Sequence, residues 1–381
     1  MLQPTSPEWS NFTGMSKLAL FPERVFTGTQ WMKDHAVLVA DGTVQAVVPA
    51  AEVGAECRRI DLRGHSLAPA FIDIQIYGAH KKLLAVYPDA ETLKLTYDYC
   101  KSGGATLYLP TVATNTLAVM HRCINAVRDY WQEGGEGVWG LHLEGPWINE
   151  AKRGAHIKEL IHPPTLQEVN ELLLYGKDVI RMITLAPEVC PPEVIALIQS
   201  EGIVISAGHS NATFEQAMQA FNNGVPTITH LFNAISPLQH REPGLVGAAF
   251  LHPSVKASII ADGHHVSFEA IRIAKQQMGE RLFIITDAVT ETSEGYYQHY
   301  LADDKYESAG TLSGSSLTMH QSFRNLVEKV GIEEGEALRM CSLYPAQVLG
   351  CADTRGKIAP GYAAQFVVLS KEGRLADTLI V

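Results

Sequence analysis

Four side chains that can bind a metal ion or move a proton each stand at the end of a short, β-rich apolar run: Glu144, His209, His230 and Asp287. One Glu and two His form a common ligand set for a divalent metal and leave a position open for water. A carboxylate beside such a metal can take a proton from that water and return it to a leaving group, which is the role we predict for Asp287. A lone His is weak support for a metal site, but the same pattern at four strand ends indicates one hydrolytic centre. A helix N-cap role for Asp287 is compatible with this interpretation.

Eight apolar runs recur through the middle of the chain and predict the strands that carry these side chains. Most are separated by segments of helical period, with Pro or Gly at the junctions. Eight strand-helix units predict an α/β fold, a (β/α)8 TIM-type barrel, in which catalytic groups collect at the carboxyl ends of the strands. A small-residue turn that opens a helix through Val330 is predicted after the eighth run, at Gly310 to Ser316. The eight runs are Ala70 to Ile76, Ala105 to Leu109, Val138 to Leu143, Val179 to Leu185, Ile203 to Ala207, Thr227 to Thr229, Val255 to Ile260 and Leu282 to Thr286.

The two ends of the chain share a different character. Short apolar runs punctuated by the hairpin dipeptide Asp41-Gly42 fill the N-terminal part, and β-type runs return after residue 364. We therefore expect a small β-sandwich domain built from both termini, residues 17–68 plus 355–381, enclosing a barrel of residues 69–354. Residues 1–16 are polar and predict a flexible extension, for which Met15 is an alternative start to Met1.

The composition excludes several classes of partner. With 381 residues, 46% hydrophobic and 19% charged, the chain is typical of a globular protein, and its net charge of -11 argues against nucleic acid or an anionic membrane as partner. An anionic substrate would therefore need a local cationic pocket. No run approaches the length of a transmembrane helix, and the N-terminus lacks the pattern of a signal peptide. The six cysteines show no C-x-x-C pair, which predicts reduced, buried thiols and a cytoplasmic location.

Longer segments surround the four candidate residues and carry a resemblance to a known family. They are Phe71-Ile72-Asp73, His142-Leu143-Glu144-Gly145-Pro146, Ser206-Ala207-Gly208-His209-Ser210, Thr229-His230-Leu231-Phe232-Asn233-Ala234, Arg241-Glu242-Pro243-Gly244, Ala261-Asp262-Gly263, Thr286-Asp287-Ala288 and Gly310-Thr311-Leu312-Ser313-Gly314-Ser315. Together they resemble the N-acetylglucosamine-6-phosphate deacetylases of the amidohydrolase superfamily. The resemblance runs from about residue 18 to the C-terminus.

The resemblance implies hydrolysis of the acetamide of N-acetylglucosamine 6-phosphate to glucosamine 6-phosphate and acetate, a step of amino-sugar catabolism. It implies one divalent metal per subunit held by Glu144, His209 and His230, with Asp287 as the general acid-base. Zinc is the first choice of metal, with iron, cobalt and manganese as alternatives. Substrate contacts would fall on Ala155, His156, Asn233, Ala234, Arg241, Asp262, His265, Leu312, Ser313 and Gly314.

Two of these substrate contacts have competing interpretations. Arg241 is implied to meet the phosphate from the partner subunit, so a homodimer is expected, and an Arg fork suits a phosphate dianion. From the residues alone, Arg241 is equally typical of a solvated loop charge beside Glu242. His264 competes with His265 for the pocket, and the resemblance favours His265.

The first strand departs from the wider superfamily. Many members carry His-x-His for a second metal where this chain has Gln75-Ile76-Tyr77. A neutral amide oxygen is a poor ligand for zinc or iron, so we expect one metal, with Gln75 beside a ligand or a water. The segment from Tyr77 to Lys82 also differs from the family pattern, and His80 is an additional candidate contact there.

Three other functions remain open at this stage. The same chemistry on N-acetylgalactosamine 6-phosphate differs only in the orientation of one hydroxyl group. A cyclic amidase fits less well, because those enzymes usually use paired metals. A non-catalytic scaffold with this fold would have no need of an acid-base group beside a metal.

Overall fold

A computed structural model of the chain describes residues 17–302, 305–308 and 310–381, so the predicted extension at residues 1–16 lies outside the described residues. The strands are β1 (Leu18–Phe26), β2 (Trp31–Lys33), β3 (His35–Ala40), β4 (Thr43–Pro49), β5 (Arg58–Pro69), β6 (Phe71–Ile76), β7 (Gly78–Ala79), β8 (Lys82–Leu83), β9 (Ala105–Ala113), β10 (Leu141–Glu144), β11 (Ile180–Leu185), β12 (Val204–Ala207), β13 (Thr227–Ile228), β14 (Lys256–Ile259), β15 (Leu282–Ile284), β16 (Tyr300–Ala302), β17 (Lys305–Ser308), β18 (Thr311–Ser315), β19 (Gln365–Leu369) and β20 (Leu375–Ile380). The α-helices are α1 (Ala90–Ser102), α2 (Leu117–Gln132), α3 (Leu166–Gly176), α4 (Pro192–Ser200), α5 (Phe214–Asn222), α6 (Gly244–Leu251), α7 (Phe268–Met278), α8 (Met319–Asn325), α9 (Glu334–Cys341) and α10 (Leu343–Val348).

Within the described residues, eight parallel strands form the barrel in the order β6-β9-β10-β11-β12-β13-β14-β15. Each of the eight predicted apolar runs overlaps one of these strands, and the predicted barrel is confirmed. All nine residues of β9 are buried, as expected for a strand with the barrel interior on one face and helices on the other.

The barrel closes where its first strand meets its last. A bridge pairs Ile76 with Ala288, and the amide of Asp287 donates to the carbonyl of Gln75 at 3.0 Å. Below this bridge, the Asp73 carboxylate accepts from the Thr286 hydroxyl at 2.5 Å and from the Thr286 amide at 3.2 Å. Burial raises the pKa of Asp73 to about 7, against the opposing effect of these hydrogen bonds. The contact between the first and last strands, here called the seam, therefore includes a buried Asp73 carboxyl group that is stabilised by the hydrogen bonds from Thr286.

Both ends of the chain contribute to a second sheet. Its strands follow the order β20-β19-β5-β1-β3-β4, with β2 paired to β1, so hydrogen bonds join them in one continuous sheet. Asp41 and Gly42 form the predicted hairpin turn with φ of 50° and 70°, the left-handed pair typical of a type I′ turn. The side chain of Thr106 donates to Gln365 at 2.9 Å and ties this sheet to the barrel. The proposed domain limits, residues 17–68 plus 355–381, stay a prediction.

The segment Gly310 to Ser316 does not form the predicted turn. Thr311–Ser315 is β18, the last strand of an antiparallel sheet with β16 and β17, and α8 begins only at Met319. The strand is fixed at the barrel rim because the Ser315 amide donates to the Asp287 carbonyl at 3.0 Å. Small residues have weak strand propensity, and here the neighbouring strands override it.

Two expectations from composition can be compared with the structure. All six cysteines lie within the described residues and are buried and free, as predicted. None of the helices in the described part of the chain has the length and apolar character needed to cross a membrane.

We predict that Thr286→Val lowers the free energy of unfolding by about 1–3 kcal/mol, because it leaves the buried Asp73 carboxyl without its hydroxyl partner. Urea denaturation of the purified protein measures this change. Thr96→Val is the matched control, since the buried Thr96 hydroxyl donates only to a helix carbonyl, that of Thr92. An equal loss in both variants would contradict the importance of the seam.

Candidate active site

The four candidate residues leave the barrel strands at the same edge, three of them with strained backbone. Glu144 is the last residue of β10, and His209, His230 and Asp287 follow β12, β13 and β15 with φ of 46°, 37° and 54°. Left-handed backbone in residues other than glycine costs of order 1–3 kcal/mol each and persists where the surrounding structure requires it, often at functional sites. The strain thus marks the same strand ends that the sequence singled out.

Three ligand-type atoms converge on one point. The Oε1 atom of Glu144 lies 3.2 Å from the Nε2 atom of His209 and 3.1 Å from that of His230, and the two Nε2 atoms are 3.1 Å apart. The outer Nδ1 atoms face backbone carbonyls, of Lys152 at 2.9 Å and of Asn233 at 3.1 Å. A carbonyl can only accept, so each Nδ1 carries a proton, and each ring in its neutral form presents a lone pair on Nε2.

This donor set fits a divalent metal. Two imidazole lone pairs and a carboxylate oxygen that face one another repel in the absence of a cation, whereas a metal between them satisfies all three. Backbone carbonyls that hold the outer nitrogens of ligating His residues are a usual feature of such sites. The buried Glu144, His209 and His230 therefore form a candidate metal site.

The pKa values of these groups follow from burial and from the Glu144 charge. Burial lowers the pKa of His209 to about 4, so its ring is neutral at ordinary pH. For His230 burial acts in the same sense, but the hydrogen bond and charge of Glu144 outweigh it and raise the pKa. Burial opposes the charge on Glu144 itself, yet the neighbouring His rings hold its pKa well below the usual range. Burial and the Glu144 charge raise the pKa of Asp287.

A third ring, that of His156, contacts the other oxygen of the same carboxylate. Its Nε2 atom lies 3.3 Å from Glu144 Oε2, and Nδ1 lies 2.6 Å from the Thr114 hydroxyl. Glu144, His156 and His209 also offer ligand atoms within 4.8 Å of one another. We favour His230 over His156 as the third ligand, because His230 shares Oε1 with His209 while His156 lies on the Oε2 side.

Gln75 and Tyr77, which stand where His-x-His occurs elsewhere, are donors to both carboxylates. The Gln75 amide donates to Glu144 Oε1 at 3.0 Å and to Asp287 Oδ1 at 2.7 Å. The Tyr77 hydroxyl donates to Glu144 Oε2 and lies 3.4 Å from Asp287 Oδ1. Gln75 was predicted to lie beside a ligand or a water, and no position was predicted for the Tyr77 hydroxyl. The only sequence signal for both residues was the departure from His-x-His. That departure does not show where the Tyr77 side chain points.

A cavity of about 340 Å³ opens above this centre and collects most of the predicted substrate contacts. Its lining includes Ala155, His156, Asn233, Ala234, His265, Leu312 and Ser313. His265 faces the cavity and is held by Asp262, whose Oδ2 atom lies 2.6 Å from the ring Nδ1, while His264 is exposed.

Three predicted residues do not line this cavity. Asp262 stands behind His265, and Gly314 packs so closely on Val289 that an added Cβ would lie 2.6 Å from a Val289 methyl group. Arg241 is exposed on the loop before α6 and lies outside the cavity of its own subunit. His80 is also absent from the lining, and its ring lies at the edge of the Tyr99 ring.

Lys152 is a lining residue that the sequence analysis missed. It is among the residues that line the cavity, and its backbone carbonyl accepts the hydrogen bond from His209 Nδ1 at 2.9 Å. Gly154, two residues later, lies next to Ala234, which brings this loop against the proposed phosphate contacts. The only sequence signal was the basic pair Lys152-Arg153 just before Ala155 and His156.

Comparison with known proteins agrees with the geometry. The model of the amidohydrolase family matches residues 67–380, and that of the NagA composite domain matches residues 18–67. The N-acetylglucosamine-6-phosphate deacetylase of Haemophilus influenzae is 33% identical over 96% of this chain and 98% of its own length. The N-acetylgalactosamine-6-phosphate deacetylase of Escherichia coli O157:H7 is 32% identical over 91% and 93%.

A solved structure supports the same grouping across the whole fold. The crystal structure of N-acetylglucosamine-6-phosphate deacetylase from Pasteurella multocida superposes with a TM-score of 0.91, at 32% identity over 96% of this chain and 98% of that chain. The chain belongs to the amidohydrolase family and, within it, to the group of N-acetylglucosamine-6-phosphate and N-acetylgalactosamine-6-phosphate deacetylases.

Proposed function

We propose that the protein hydrolyses the acetamide of N-acetylglucosamine 6-phosphate to glucosamine 6-phosphate and acetate. The observation that carries the proposal is the convergence of Glu144, His209 and His230 on one point, with the Asp287 carboxylate linked to the same centre through Gln75. The names of the relatives supply the substrate class, and the curated matches include more than one deacetylase of this glucosamine type.

Glu144, His209 and His230 would hold the metal. A divalent metal bound there supplies Lewis acidity toward the amide carbonyl and lowers the pKa of water to near neutrality. Zinc is our first choice, because two His and one carboxylate with an open position is a common catalytic zinc set.

Asp287 would take the proton from the attacking water and deliver it to the amide nitrogen as the C–N bond breaks. The raised pKa of this buried carboxyl group favours a residue that holds a proton for part of the cycle. Gln75 would keep Asp287 in place, since its amide hydrogen bond to Oδ1 is 2.7 Å long. The other carboxylate, Glu144, is fixed by the same amide and stays charged.

His156 and His265 would orient the substrate from two sides of the cavity. The ring of His156 stands beside Glu144 and can donate to the carbonyl oxygen as negative charge develops there. His265 is oriented by Asp262 toward the sugar. Ala155 and the strand residues Leu312 and Ser313 complete the walls of the sugar site.

The phosphate would lie against Asn233 and Ala234 and be met by Arg241 from the partner of a homodimer. Two observations support this arrangement: Arg241 is exposed and does not line the cavity of its own subunit, and Lys152 is among the residues that do. We also propose a cytoplasmic location, which six buried free thiols support.

Acetate release from N-acetylglucosamine 6-phosphate, from its galacto epimer and from the unphosphorylated sugar tests the function on protein whose metal content is quantified. We expect turnover of the phosphorylated gluco substrate above both others, with about one metal per chain. If metal-loaded protein released no acetate from any of the three substrates, the proposal would be refuted. Faster acetate release from the galacto epimer would instead identify N-acetylgalactosamine 6-phosphate as the substrate.

Asp287→Asn should lower kcat by about 10²- to 10⁴-fold, because the amide can neither accept nor return the proton. The variant keeps the hydrogen bond from Gln75 through its carbonyl oxygen, so its melting temperature and metal content should match the parent protein. Turnover that survives the substitution would exclude Asp287 as the acid-base.

A mixture of two inactive variants tests the crossing of Arg241. We expect Asp287→Asn and Arg241→Met dimers to be poorly active alone, and coexpressed chains to regain about a quarter of the parental sites. In a mixed dimer, the chain with intact Asp287 receives the intact Arg241 of its partner. No recovery in verified mixed dimers would mean that Arg241 does not act across the subunits.

A further inference from the structure

A small cavity adjoins the candidate active site, and the proposed function assigns it no role. It has a volume of about 50 Å³ and shares Tyr77, Ala155, His156 and Ser313 with the substrate cavity. Tyr77 and His156 both contact Glu144 Oε2, so the small cavity begins one side chain away from the metal-binding carboxylate.

The walls of this cavity are mainly apolar. Leu83, Ala113 and Val289 line it, and together with Tyr297 they form a separate buried hydrophobic cluster. Its polar side chains are largely engaged with the protein: Ser313 Oγ lies 2.8 Å from His299 Nδ1, and the Tyr297 hydroxyl donates to the Thr114 carbonyl at 2.7 Å. Such a lining favours a small apolar group over water.

The geometry of the substrate amide indicates which group this is. A secondary amide is planar and trans, so the sugar carbon on nitrogen and the acyl carbon beyond the carbonyl point in opposite directions. The sugar occupies the open cavity near His265 and Leu312, where there is room for a ring and a phosphate. The acyl carbon must then point away from that opening, past Tyr77 and His156.

We propose that the small cavity is the acyl subsite, an inference that rests on the proposed function and specifies its substrate class. A water-sized group needs about 10–15 Å³ of such space, so a cavity of about 50 Å³ accepts more than one methyl group. The substrates are therefore short-chain N-acyl derivatives, acetyl and propionyl, of a hexosamine 6-phosphate. Val289 and Leu83 set the length limit.

The test compares N-acetyl-, N-propionyl-, N-butyryl- and N-hexanoylglucosamine 6-phosphate as substrates of the metal-loaded protein and of Val289→Ala. For the parent protein we expect kcat/KM for propionyl within about tenfold of that for acetyl, and a steep fall at hexanoyl. One methylene in an apolar pocket changes kcat/KM by about 10- to 200-fold, so Val289→Ala should raise the butyryl-to-acetyl ratio by at least about tenfold.

Ile260→Ala is the matched control, because Ile260 lines the sugar cavity and not the small one. It should change kcat/KM for all four substrates by a similar factor and leave their ratios unaltered. Leu83→Ala removes a different side chain from the wall of the same subsite, and it replaces Val289→Ala in the test if that variant does not fold. Its expected effect on the butyryl-to-acetyl ratio has the same sign.

Two results would overturn the acyl subsite while the proposed function stands. One is parental hydrolysis of the hexanoyl substrate as fast as of the acetyl substrate, which would place the acyl chain in solvent. The other is an unchanged butyryl-to-acetyl ratio in the folded enlarged variants. Absence of acetyl turnover in the parent protein would instead refute the proposed function itself.

Discussion

The arrangement of the site depends on one buried carboxylate. Glu144 is 1% exposed, and a buried charge of this kind is very costly unless it is paired and hydrogen-bonded. Gln75 and Tyr77 donate hydrogen bonds to it, and the rings of His156, His209 and His230 lie within 3.3 Å of its oxygen atoms. The left-handed backbone of His209 and His230 is one cost of bringing their rings to this point.

The first barrel strand and the residue after it supply neutral donors, Gln75 and Tyr77, to the centre. Gln75 connects the two carboxylates by hydrogen bonds, and Tyr77 adds a hydroxyl group between them. A second cation would neutralise the same carboxylates, so these donors take over part of its role without its charge. Because the Tyr77 ring is large, it also forms a wall of the small neighbouring cavity. The same side chain therefore donates a hydrogen bond to Glu144 and shapes that cavity.

The barrel was predictable from the sequence because its eight strands lie in largely apolar runs, most of which are separated by segments of helical period. Glu144, His209, His230 and Asp287 could be grouped for a related reason: the ends of parallel strands meet at one edge. The position of the Tyr77 hydroxyl could not be predicted, since it depends on how the chain turns after β6. Strand β18 was missed because its small residues carry no strand signal, and the strand is fixed by its pairing with β17 and by the hydrogen bond from Ser315 to Asp287. Lys152 was missed because a charge on a loop usually faces solvent.

The seam of the barrel has a consequence for the protein during its synthesis. The metal-type side chains are all present once residue 230 has been added, whereas Asp287 and the partner strand for Gln75 come later. A domain generally folds as a unit, and the bridge between Ile76 and Ala288 closes this one. The donor set and the acid-base group are therefore completed together, when the last strand docks against the first.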